Sequence, residues 1–139
     1  MDNKTTLVKN WLIKAIHDLA VSKKLKADEE QYLDVAIYHC QQAAEKAIKG
    51  FLVLHDKAFP KTHDLRLLVQ LAVSVNSEFV KYEDAADVLT PYATEFRYPG
   101  DIMDPTDEEM DQGIKNAEEI LHYVISLLTD DLQKILSKE

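Results

Sequence analysis

The segment TEFRYPGD, residues 94–101, carries an arginine directly before a helix-ending run. Tyr98-Pro99-Gly100 breaks regular structure, so the Arg97 side chain leaves the backbone beside that break. A guanidinium there can grip a phosphate with two parallel hydrogen bonds, and Tyr98 can stack on a base. The alternative for Arg97 is an ion pair with a nearby acid, Glu95 or Asp101. A second stretch, YHCQQAAEKAIKGF at 38–51, sets His39, Gln42, Lys46 and Lys49 at helical spacing beside Ala43, Ala44, Ala47 and Gly50. The small residues admit another helix at close range, either within the bundle or across a dimer, and the polar stripe edges that seam. If Arg97 reaches the same edge, Arg97 and Lys46 can serve phosphate, while His39 and Gln42 meet a base or ribose. A satisfied polar network that fixes helix register is the alternative for His39 and Gln42. Glu45 and Lys49, four apart in the favourable order, read as a surface pair worth ~0.3 kcal/mol.

Other chemistry has weaker carriers. Three His-Asp pairs, at 17–18, 55–56 and 63–64, invite a metal-dependent phosphohydrolase, with His39 and a later Asp completing the set. Adjacent residues on a helix diverge by roughly 100°. Asp64 stands at an expected helix start, where a carboxylate satisfies free N–H groups; His63 is kept as a polar contact to nucleotide. Glu119 and His122 have the E-x-x-H spacing of di-iron bundles, but there is no second copy and they read as a solvated face. Cys40 beside His39 lacks an orienting third group and reads as a small core side chain. There is no Gly-rich phosphate loop, C-x-x-C or G-x-S-x-G. No residue is assigned a catalytic or metal-binding role.

The elements that must position these groups are helices. Apolar spacing predicts a first helix over about Thr6–Lys26 and a second over about Gln31–His55. Pro60 breaks the pattern, and Thr62 stands as the N-cap of a third helix bearing Leu65, Leu68, Leu71, Ala72 and Val75. A short fourth helix follows NSEFVKYED, with Thr90-Pro91 opening its last part. DIMDP is read as a loop. Thr106-x-x-Glu109 is a capping box for a fifth helix running to about Leu136. With 139 residues, no internal repeat and few Gly or Pro, the chain reads as one all-α domain over 1–139. The expected architecture is an up-and-down bundle of four long helices plus a short one.

Composition is that of a globular protein, at 46% hydrophobic and 29% charged. No apolar run reaches the ~20 residues of a membrane span, and no signal peptide is read at the start, so the expectation is a cytoplasmic protein. Asn3-Lys4-Thr5 matches a glycosylation sequon, which has no meaning in that setting. The net charge of −9 is uneven: residues 1–26 carry +4 and residues 101–139 carry −8. Such a chain is a poor binder of duplex DNA, whose affinity comes from neutralising phosphates, yet it admits a local site for one nucleotide or a short single strand. The basic first helix and acidic last helix can attract one another, within a chain or between copies.

The order WLIKAIHDLAVSKKL, AIYHCQQAAEKAIKGFLVL, KTHDLRLLV, FRYPG and AEEILHYVISLL resembles the HEPN domain over nearly the whole chain. HCQQAAEKAIK and KTHDL are its most specific parts. The resemblance implies a helical bundle that forms homodimers and partners a small nucleotidyltransferase, often as a toxin–antitoxin pair. It implies nucleotide binding in some members and ribonuclease activity in others. Nuclease members carry Arg, four to six residues, then His. Arg97 matches the arginine, but Ile102, Met103 and Asp104 stand where the His would be. The general acid–base role then has no obvious owner, and the ribonuclease reading, with RNA as substrate, is the weaker one. The favoured reading is a non-enzymatic, cofactor-free nucleotide-binding partner subunit. Its contacts are Arg97, Lys46, His39, Gln42, His63 and Tyr98.

Overall fold

The structure is a computed structural model that describes residues 1–100 and 103–139. It contains α1 (Asn3–Ala27), α2 (Leu33–Leu54), α3 (Leu65–Val75), α4 (Glu83–Leu89), α5 (Asp107–Ser126) and α6 (Asp130–Leu136). Short 3-10 helices at Ser77–Tyr82 and Thr90–Ala93 flank α4. The described residues form no strand, so the chain is the all-α bundle that periodicity implies. No helix among them is long and apolar enough to cross a membrane.

Fourteen of the 22 residues of α2 are buried, which makes it the central helix. Its alanines at 36, 43, 44 and 47 are sealed from solvent, so neighbouring helices come close on more than one side. Against α1 the close approach centres on Gly50, where an added Cβ would stand 2.3 Å from Leu12 Cδ2 and 3.2 Å from Trp11 Cβ. The helix admitted by the small residues is therefore α1 of the same chain. At the other end, Ser22 Oγ of α1 donates to the Ala36 carbonyl at 2.8 Å, so α1 and α2 run antiparallel. On another side of α2, Gly113 of α5 faces Ile37 and Cys40. Phe51, Phe79 and Tyr123 continue the core as a chain of tilted and edge-on rings.

Caps explain most helix limits. Asp2 accepts from Thr5 N–H, which starts α1 at Asn3 rather than Thr6. Thr106 and Glu109 form both bonds of the capping box. Two expectations need correction. The cap of α3 is Asp64, which accepts from the N–H groups of Arg66 and Leu67, whereas Thr62 Oγ1 accepts from Asp64 N–H. The final helix is not continuous to Leu136: it stops at Ser126, and Thr129 caps a separate α6. Basic α1 meets acidic α5 within the chain, through Lys23 with Glu118 and Lys26 with Asp107. Such exposed pairs orient helices more than they stabilise them.

Candidate functional site

α1 interrupts its apolar stripe with Asp18 and Ser22, both buried. A buried carboxylate needs partners, and Asp18 has two from the facing helix. His39 Nδ1 lies 2.7 Å from one oxygen and Lys46 Nζ 2.7 Å from the other. With Nδ1–H donating to the carboxylate, the imidazole is held in one orientation and Nε2 remains for a ligand. The His39 and Lys46 side chains keep about a quarter of their surface, while Asp18 keeps 11%. The acid is inside and its two partners reach the surface.

His39 also forms a wall of a 250 Å³ cleft, with Asp34, Val35, Tyr38 and Arg97. Arg97 arrives from the segment after the second 3-10 helix. Phe96 just before it takes φ 68°, a left-handed backbone rare for a bulky side chain. The Phe96 ring stays stacked near Tyr92, so the chain reverses and Arg97 is carried back over α2. Its Cζ sits 3.9 Å above the Tyr38 ring centre, a cation–π contact that holds the guanidinium at the cleft. Nη1 reaches the Ala93 carbonyl at 3.4 Å. Glu95 forms no ion pair with Arg97 among the described residues, and Asp101 lies outside them. Tyr98 is exposed and lines a neighbouring 360 Å³ cleft with Asp34, Phe96, Arg97, Pro99, Met103 and Asp104.

Gln42 and His63 belong elsewhere. Gln42 Nε2 donates to Gln41 Oε1, and Gln41 Nε2 donates to Glu45 and to the His63 carbonyl. Glu45 accepts from Lys49 at 3.0 Å and pairs with His63 Nδ1 at 2.8 Å. Lys49 also donates to the Thr62 carbonyl. The Glu45–Lys49 pair is therefore not on the surface: its side chains are 4% and 8% exposed. This network ties the Thr62-His63 segment to α2, and it joins the two most specific sequence segments, HCQQAAEKAIK and KTHDL.

A profile of the HEPN domain matches residues 8–128. This chain belongs to the HEPN family. Two solved structures agree. TT1696 from Thermus thermophilus is 25% identical with a TM-score of 0.70, over 87% of this chain and 98% of that one. ST0689, described as an archaeal HEPN homologue, is 26% identical with a TM-score of 0.63, over 84% of this chain and 93% of that one. No curated protein matches.

In this HEPN chain the six nominated residues fall into distinct places. His39 and Arg97 share one cleft, Lys46 joins His39 through Asp18, and Tyr98 adjoins Arg97 on its other side. Gln42 and His63 lie in the Glu45 network. Of the positions where the nuclease motif has His, Met103 and Asp104 line the Tyr98 cleft and Ile102 lies outside the described residues. The His-Asp pairs take separate partners: on α1 exposed His17 lies 3.5 Å from Glu139 while Asp18 faces His39, and beyond the end of α2 Asp56 pairs with Lys4. No three or more His, Cys, Asp or Glu side chains gather as a metal set among the described residues. Burial pushes the Cys40 thiol up to about 11, so it stays a protonated core side chain near neutral pH.

Asp18 and Tyr38 are the site residues that sequence reasoning passed over. Asp18 had a signal: it falls one turn beyond Ala15 on the apolar face of α1, where an acid requires a buried partner. Tyr38 had none, because its part depends on Arg97 arriving from a segment far along the chain.

Proposed function

We propose that this HEPN chain is a nucleotide-binding module and the partner subunit of a small nucleotidyltransferase, in a toxin–antitoxin-like pair in the cytoplasm. The carrying observation is one cleft that joins Arg97, stacked on Tyr38, to His39, held by buried Asp18. Arg97 takes the phosphate, His39 Nε2 supplies a hydrogen bond and Lys46 adds positive charge. Tyr98 is the stacking surface on the outer side of Arg97. The reading invokes no metal or organic cofactor. Family membership supports the transferase partner and a homodimer, and the exposed Val35, Tyr98 and Met103 at the cleft margins fit a protein partner there.

A second reading has one observation in its favour. The motif histidine is missing after Arg97, yet His39 faces the same cleft with its Nδ1 oriented by an acid. Nε2 could then take a ribose 2′-OH proton while Arg97 stabilises charge on phosphate, as ribonuclease chemistry requires. RNA cleavage by the purified protein that disappears in His39→Ala would favour it over the binding module.

Thermal unfolding with a panel of nucleotides, on wild type and Arg97→Ala, tests the primary reading. A ligand at ~100 times its dissociation constant adds ~2.7 kcal/mol, which raises the midpoint by several degrees. The expected result is a nucleotide-specific rise that Arg97→Ala abolishes. No rise with any nucleotide would overturn tight nucleotide binding.

A further inference from the structure

Beyond the cleft, α1 presents Leu7, Asn10, Trp11 and Lys14 at helical spacing, and Lys46 of α2 closes them into a 180 Å³ groove. Lys46 is the link between the two places. It lines this groove, and its Nζ shares the Asp18 carboxylate with His39, which lines the cleft. From Tyr38 to Lys46 is about 12 Å along α2. We propose that the groove is a second nucleotide subsite, so that a single-stranded oligonucleotide runs from the Arg97–Tyr38 cleft, past His39 and Lys46, to a base on Trp11.

Charge and surface chemistry favour that occupant. The groove surface is nearly all apolar, formed with Trp11, Leu7 and the hydrocarbon stems of Lys14 and Lys46. Lys14 is exposed and forms no ion pair among the described residues. In a chain of net charge −9, the groove lies on the helix that carries the basic excess. Lys49 sits 5.8 Å over the Trp11 ring from the buried side, which holds the indole against the bundle and leaves its outer part to the groove. Alternating aromatic surface and ammonium along one track is how sequence-tolerant single-strand binding is built.

The inference rests on the nucleotide cleft proposed above, and one titration separates the two. Trp11 is the only tryptophan, so its fluorescence reports the groove directly. Mononucleotide, five-nucleotide RNA and DNA, and inorganic polyphosphate are titrated into wild type, Lys14→Gln, Trp11→Leu and Arg97→Ala, with calorimetry in parallel. Oligonucleotide is expected to bind at least ten-fold tighter than mononucleotide and to quench Trp11, which mononucleotide leaves unchanged. Lys14→Gln lowers the salt-dependence slope for oligonucleotide by about 0.7 and leaves mononucleotide affinity intact. Arg97→Ala weakens both ligands, and unchanged mononucleotide binding by Trp11→Leu shows that this variant is folded. Arg97-dependent mononucleotide binding with no gain for the longer ligand overturns the groove alone. Oligonucleotide binding indifferent to Arg97 overturns the path and the cleft together. Polyphosphate that binds as tightly as oligonucleotide reduces the groove to charge capture and overturns the subsite.

Discussion

Glu45 is almost sealed from solvent and is held by buried Lys49 and Gln41 and by His63, whose side chain is 67% exposed, whereas both partners of Asp18 are about a quarter exposed. The two acids organise the candidate residues into a structural set and a cleft set. Removing Glu45 strands a buried ammonium whose other hydrogen bond is the Thr62 carbonyl. Glu45→Ala is therefore expected to lose about 3–5 kcal/mol in denaturant unfolding; a loss under ~1 kcal/mol would mean the network is dispensable. The polar stripe of α2 was legible as a pattern, but its division into these sets was not. Periodicity places His39, Gln42, Lys46 and Lys49 near one seam without saying which acids face them. Asp18 comes from α1, and the backbone of Thr62 and His63 returns only after a loop.

At the scale of elements, α1 comes so close to α2 at Gly50 that an added Cβ would clash, which it would not at the other two glycines. Leu12 Cδ2 lies at the movable end of a side chain, but Trp11 Cβ is fixed to the α1 backbone. Gly50→Ala is expected to cost about 1–3 kcal/mol of packing, offset by up to ~1 kcal/mol of helix propensity. Gly113→Ala is the control, since its added Cβ meets nothing closer than 3.6 Å and propensity alone acts. Equal midpoints in denaturant for the two variants would contradict close packing at Gly50. The small-residue stripe was readable as a close-approach surface because Gly50 costs helix propensity in mid-helix and the neighbouring alanines lie on the same side. The break at Leu127–Thr129 was not, because the apolar stripe of α5 runs through Leu128 and hides it. Thr129 followed by Asp130 and Asp131 is the local cap chemistry that ends the stripe.

Across the whole molecule, basic α1 packs against α2 and pairs with acidic α5 through Lys23 and Lys26. In a chain of net charge −9, Arg97 lines the cleft, and Lys14 and Lys46 line the groove on α1. The fold class and family were legible in the sequence, since long apolar periods, caps and two specific segments all agree. The meeting of Arg97 with Tyr38 and His39 was not, because it depends on the left-handed turn at Phe96. The most direct test is a two-dimensional NMR titration of the histidine side chains with the nucleotide that raises the unfolding midpoint. Of the five histidines, His39 is expected to shift saturably, and to stop shifting in Arg97→Ala, while His63 stays in place. A shift centred on His63, with His39 unmoved, would place the ligand on the Glu45 network and contradict the division between cleft and scaffold.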